Sequence, residues 1–127
     1  GTAEPIDAVR SVTNRSSGKM GFAIAAEAAR RGAEVTVVAG LTSLATPFGV
    51  HRIDAPSALE MRDAVLAEFE SSDIVIKAAA VADFRPVHPS DRKIKKEQMA
   101  EGEYMLVKRI PVSAIRSIVG VCRSLDP

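Results

Sequence analysis

The sequence predicts an α/β domain on an open, mostly parallel sheet, and three stretches carry that prediction. Phe22, Ala25, Ala26 and Ala29 recur at helical spacing over Phe22 to Arg31, while Glu27, Arg30 and Arg31 lie off the stripe. Gly32 then closes that helix, and Glu34-Val35-Thr36-Val37-Val38-Ala39 is a β-branched run short enough for a buried parallel strand. Further on, Ser57-Ala58-Leu59-Glu60 has the form of a capping box and opens a second helix with the stripe Ala58, Met61, Val65 and Phe69. The apolar run Asp73 to Ala80 follows, and helices alternating with buried strands argue for one sheet between helices.

Composition bounds what such a domain can do. At 127 residues and 46% hydrophobic content, residues 1–127 form one domain around one core. Seventeen basic against sixteen acidic side chains leave a net charge of +1, so no whole-molecule field recruits nucleic acid or a membrane surface. The single cysteine, Cys122, permits no internal disulfide, and no apolar run approaches the ~18 residues of a membrane span; a cytoplasmic protein is expected. The sequence opens on Gly1 with no charged and apolar leader, and reads as a piece of a longer protein.

Taken in order, Gly1 to Ser17 lacks apolar periodicity and reads as an extended loop. Its end, Thr13 to Gly21, runs straight into the first helix, where unpaired backbone N–H groups and the helix dipole favour an anion. Ser16 or Ser17 is placed to cap that helix, and Arg15 and Lys19 add positive charge where the dipole is already positive. An ordinary capped helix with solvated cations is the other reading. Neither a P-loop nor a dinucleotide fingerprint fits: Thr13 stands where a P-loop needs glycine, Met20 follows Lys19, and Gly18 and Gly21 lack a G-x-G pair.

Gly40 to Gly49 is a loop long enough to touch a ligand, Val50 to Ile53 a short strand. In parallel sheets ligands lie beyond the carboxyl ends of the strands, so the tip Ala79-Ala80-Val81-Ala82-Asp83 is expected to face the Gly18 turn. Small side chains at Ala79 and Ala80 let backbone approach a flat group, and Asp83 can hold a base edge, a ribose or a metal. Equally, the alanines can pack under the first helix and Asp83 cap a turn. Arg85 to Lys96 carries five Lys or Arg, one Asp and two prolines, an irregular basic stretch that suits a mobile lid for a polyphosphate or simply a solvated charge run. His88 has no ligating neighbours at metal spacing. Tyr104 to Val107 reads as a further strand and Ser113 to Val121 as a closing helix.

Gly1 to Arg10, the Asn14-to-Gly21 turn, Ala78 to Arg85 and Lys93-Ile94-Lys95-Lys96 together closely resemble bacterial phosphopantothenoylcysteine synthetase, in register from Gly1 to about Lys108. The resemblance implies a Rossmann-like, homodimeric ligase that joins 4'-phosphopantothenate to cysteine, using CTP, with Mg²⁺, to form an acyl-cytidylate. By the same resemblance Asn14 holds the acyl-cytidylate and Arg10 supports that site, while Ser17, Gly18 and Lys19 belong to the surrounding turn, also associated with dimer contacts. Ala79, Ala80 and Asp83 receive the cytidine nucleotide, and Lys93 serves conversion of substrate to intermediate. The pattern departs at Ala3, at Lys77 and after Lys108, where Arg109-Ile110-Pro111-Val112 replaces an expected Asn-Pro-Asp segment. The family's strand before Gly1 and the following half of the domain are not in this sequence. A nucleotide-binding or dimerising fragment without turnover is the competing expectation.

Overall fold

The computed structural model describes residues 1–95, 107–110 and 121–123. Where periodicity predicts only an extended loop at the start, the chain forms an antiparallel hairpin of β1 (Ala3–Pro5) and β2 (Ser11–Thr13), registered Ala3 to Thr13 and Pro5 to Ser11. The turn between them is built by Asp7: its Oδ1 accepts the N–H groups of Val9 at 3.0 Å and Arg10 at 2.9 Å. Strands of three residues are too short for an alternating pattern to register, and side-chain turn chemistry sets the hairpin instead.

Helix α1 (Lys19–Arg30) starts one turn earlier than its apolar stripe. Its N-cap is Gly18 at φ 76°, with no side-chain cap, so neither Ser16 nor Ser17 caps it as expected. Ser17 lies one residue before the cap, and its Oγ reaches only the Lys19 N–H, at 3.4 Å. Glycine tolerates the left-handed turn that brings the chain into the helix there. At the other end Gly32, at φ 92°, does close the helix: its N–H bonds the Ala29 carbonyl at 3.0 Å and that of Ala33 reaches Ala28 at 3.1 Å, the paired bonds of a Schellman motif.

Strand β3 (Glu34–Ala39) is the centre of the packing, because successive side chains point to opposite faces. Val35, Val37 and Ala39 meet Phe22 and Ala25 of α1 on one face. On the other, Val38 meets Met61 and Val65 of α2 (Ala58–Phe69) together with Ala55. Helices therefore cover both faces. Met61 is fully buried and alone contributes about 1.5–3 kcal/mol of transfer free energy. Phe69, expected on the same stripe, is 51% exposed.

The capping box of α2 forms as expected, Ser57 Oγ accepting the Glu60 N–H at 3.3 Å and Glu60 Oε2 the Ser57 N–H at 2.9 Å. A second cap comes from far away in sequence: the buried Glu4 of β1 accepts the Ala58 N–H at 2.9 Å. Ser57→Ala should thus cost about 0.5–1 kcal/mol, the low end for a lost cap, and lower the melting temperature by a few degrees. A melt superimposable on that of the unmodified chain would refute the role.

After β4 (Val50–Asp54), parallel to β3 from Val35–Val50 to Ala39–Asp54, the sheet departs from expectation. β5 is only Ile74–Val75, and β6 (Phe84–Pro86) pairs antiparallel with β7 (Val107–Arg109), placing Arg85 and Pro86 in a strand rather than an irregular lid. Finally β8 (Val121–Arg123) lies between β3 and β5, antiparallel to both, giving the order β4-β3-β8-β5. The sheet is mixed, not mostly parallel. Because β8 offers β5 a ladder only at Ile74 and Val75, the expected strand over Asp73 to Ala80 stops there. Val121 is strand and not the end of a helix; residues 113–120 of that expected helix, and 104–106 of the expected strand before it, lie outside the described residues.

Candidate functional site

The site grows from the first two residues. Gly1 and Thr2 bridge the ends of two segments: Leu41 N–H donates to the Gly1 carbonyl at 2.9 Å, and Thr2 N–H to that of Ala80 at 3.2 Å. Thr2 is fully buried, and its hydroxyl accepts the Ala82 N–H at 2.9 Å while its carbonyl accepts from Thr13 Oγ1 at 2.7 Å. Asn14 Nδ2 donates to the Val81 carbonyl at 2.8 Å. Two consecutive peptides of the tip, 80–81 and 81–82, are thus fixed by Thr2 and Asn14, the residues flanking the hairpin strands. One Asn14 N–H is committed there; an amide carries a second N–H and an acceptor oxygen for a ligand.

Facing the tip is the Gly18 turn. A cleft lies between them, lined by Gly1, Ser16, Gly18, Gly21, Ala78 and Ala79 and, along α1 and β3, by apolar side chains that include Phe22, Ala25, Ala28, Val35 and Val37. Gly21 brings the helix close: a Cβ there would stand 3.5 Å from Ala78 Cβ. Thr42 Oγ1 donates to the Ser17 carbonyl at 3.0 Å, so the long loop after β3 does reach the site. Uncapped first-turn amides of α1 and small side chains opposite make this wall able to take an anion joined to a flat group.

A second cleft opens against the hairpin and includes Glu4, Asp7, Arg10 and Arg85. Asp7 is its buried hub, accepting from Arg10 Nε at 2.9 Å and Nη2 at 2.6 Å through Oδ2. The Arg10 hydrogen bonds hold the Asp7 carboxyl well below the usual carboxylate range; burial opposes this, and the N–H groups of Val9, Ile94 and Arg10 add to it. A folded-state value below the unfolded one contributes stability fully present above about pH 4 and withdrawn as pH falls below it. Between pH 7 and 3 the urea midpoint of the unmodified chain should therefore fall further than that of Asp7→Asn; equal falls would contradict this.

The structure brings together only part of the expected set. Gly18 and Ala79 line the first cleft; Ala80 does not, its carbonyl being taken by the Thr2 N–H, and Asn14 is tied to the same tip. Ser17, Lys19 and Asp83 are exposed and none of them lines that cleft; the Asp83 carbonyl accepts the Ile110 N–H at 2.7 Å. Arg10 lines the second cleft, and the exposed Lys93 lines neither. Lys96 lies outside the described residues. Thr2, Glu4, Asp7 and Thr42 escape sequence reasoning. Of these only Asp7 carries a local signal, an Asp two residues after Pro5 in a turn. Among the described residues no group of three or more His, Cys, Asp or Glu side chains gathers, and no helix is long and apolar enough to cross a membrane.

The family model of the DNA/pantothenate metabolism flavoprotein C-terminal domain matches residues 1–114. Over 109 residues the chain is 52% identical to the coenzyme A biosynthesis bifunctional protein CoaBC of Escherichia coli (strain K12), covering 86% of this chain and 27% of that protein. The CoaBC of Mycolicibacterium smegmatis is 46% identical over 115 residues, 90% of this chain and 28% of the relative. The chain thus spans about a quarter of the length of these curated relatives. Among solved structures, the C-terminal domain of a CoaBC superposes with a TM-score of 0.67 at 46% identity, over 74% of this chain and 50% of that one. The matched model spans the stretch that carries the motifs, and with the identity and the fold it shows that the chain belongs to the family of the DNA/pantothenate metabolism flavoprotein C-terminal domain, found in the coenzyme A biosynthesis bifunctional proteins.

Proposed function

We propose that this domain works in coenzyme A biosynthesis as a ligase joining 4'-phosphopantothenate to cysteine through a CTP-derived acyl-cytidylate. One observation carries the reading: the cleft where the open amino end of α1 faces the small-residue tip, with Asn14 pinned to that tip at 2.8 Å. A carboxylate attacking a triphosphate brings two anions together, and cations and helix amides must offset their repulsion. In this reading the α1 turn, with Ser17, Gly18 and Lys19, receives phosphate. Ala79 and Ala80 admit the cytosine ring, and the remaining Asn14 donor serves the acyl oxygen. Lys93 supplies charge to the reacting phosphorus.

A magnesium ion would arrive on the triphosphate, its waters and phosphates supplying most ligands, and the exposed Asp83 is the carboxylate at the tip suited to meet it and neutralise charge. The ligation ends when the cysteine amine displaces cytidylate. Homodimerisation through the Ser16-to-Gly21 turn and a cytoplasmic location belong to the same reading.

A second reading, nucleotide binding or dimerisation without turnover, is favoured by β8, which separates β3 from β5 and leaves the two strand ends at the cleft outside one parallel ladder. Pyrophosphate release decides. Release that requires both CTP and 4'-phosphopantothenate supports the ligase; nucleotide binding without release supports the second reading.

A further inference from the structure

We infer that Asp7 and Arg10 form a two-sided clamp on the peptide of Ile94 and so place Lys93; Asp7 is a positioning residue for the reaction, an inference that rests on the role of Lys93 proposed above. The basic stretch is not tied down by its own secondary structure after β6, yet it is held to the hairpin at two points. Ser90 N–H donates to the Ile6 carbonyl at 3.0 Å. At Ile94 both sides of the backbone are engaged: its N–H donates to Asp7 Oδ2 at 3.1 Å, and Arg10 Nη2 donates to its carbonyl at 3.3 Å.

The two oxygens of Asp7 divide the work. Oδ1 builds the hairpin turn through Val9 and Arg10 N–H, while Oδ2 holds both the Arg10 guanidinium and the Ile94 amide. Asp7 has a side chain sealed from solvent, whereas Arg10 is half exposed, so the carboxylate is the fixed member and the arginine is set by it. Such a hub explains why a short hairpin next to the site keeps a buried charge. It fixes in advance the backbone beside a lysine whose own side chain is exposed. Misplacing a reacting group by about 1 Å can cost about 10²-fold in rate. Arg10 is thereby engaged with the protein's own backbone, and its support of the site runs through Ile94.

Two variants test the clamp in the full chain. Asp7→Asn removes the charge, and Ile94→Pro removes the Ile94 N–H without touching the Asp7 or Arg10 side chains, its ring also restricting the backbone at Lys93. Hydrogen exchange of the amides of Arg92, Lys93 and Lys95 is measured beside pyrophosphate release with CTP and 4'-phosphopantothenate. Both variants should exchange at least about tenfold faster over this segment and lose about tenfold to a hundredfold in kcat, with KM for CTP held within about twofold. Unchanged exchange in Asp7→Asn overturns the clamp, as does faster exchange with unchanged kcat. Should Asp7→Asn fail to fold, Ile94→Pro decides by exchange, and unchanged exchange over Arg92 and Lys93 overturns the clamp. If the unmodified chain releases no pyrophosphate, the ligase reading fails while the clamp stands or falls on exchange alone.

Discussion

Gly40→Ala should destabilise the chain by about 2–5 kcal/mol, because the added methyl has nowhere to go. Its Cβ would overlap the Gly1 carbonyl oxygen, and it would lie 2.8 Å from the Gly1 carbonyl carbon and 3.2 Å from Met61 Cε. The clash is with the backbone of Gly1, whose carbonyl accepts the Leu41 N–H, so relief requires displacing Gly1 and weakening that bond. Overpacking costs about 1–3 kcal/mol and each lost hydrogen bond about 1 kcal/mol. Gly21→Ala is the contrast. Its Cβ meets only Ala78 at ordinary contact distance, 3.5 Å, and the helix gains about 0.5–1 kcal/mol of propensity. Urea denaturation should therefore move the two midpoints in opposite directions. A Gly40→Ala midpoint equal to that of the unmodified chain would show that Gly1 is not held where the cleft requires it.

Lys93→Gln should lower the rate of acyl-cytidylate formation by about 10²-fold while leaving the melting temperature within a degree or two. The size follows from what one well-placed charge contributes to a transition state in which negative charge builds on phosphorus, about 3 kcal/mol. The preserved stability follows from exposure: Lys93 packs into neither cleft, and the adjoining clamp acts on the Ile94 backbone, which glutamine at 93 leaves alone. Rapid-quench single-turnover measurement of the intermediate checks this. An unchanged rate would remove Lys93 from the chemistry.

What was legible in the sequence is what repeats or what is chemically marked. Helix α1, strand β3 and the capping box of α2 rest on period, β-branching and a four-residue signature, all local properties of the chain. The two-sided burial of β3 follows from the same alternation. The hairpin of β1 and β2 was not legible, because three-residue strands hold no period and its turn depends on where one aspartate places its oxygens. Nor was β8: a strand inserted antiparallel between two others is decided by long-range pairing, and nothing within Val121–Arg123 states a direction.

The site divides in the same way. Gly18 and Ala79 could be singled out because their small size and place in the chain limit what the backbone can do there, whereas Asn14 stood out only through the family resemblance. Thr2 and Glu4 could not, since a threonine becomes a hub only when it is buried beside a tip eighty residues away, and a glutamate becomes a cap only when a remote helix begins against it. Ser17 shows the converse. It has the right type for a cap, and the left-handed Gly18 after it takes the position.

The claim that the cleft between the α1 turn and the Ala79 tip is a cytidine nucleotide site is tested most directly by calorimetric titration of the chain with Mg²⁺–CTP, with ATP and NAD as controls. Saturable binding of CTP, weaker for ATP, absent for NAD and reduced by Asn14→Ala, is the result the account predicts. Absence of CTP binding by a chain that melts cooperatively, or binding of NAD in its place, would contradict it.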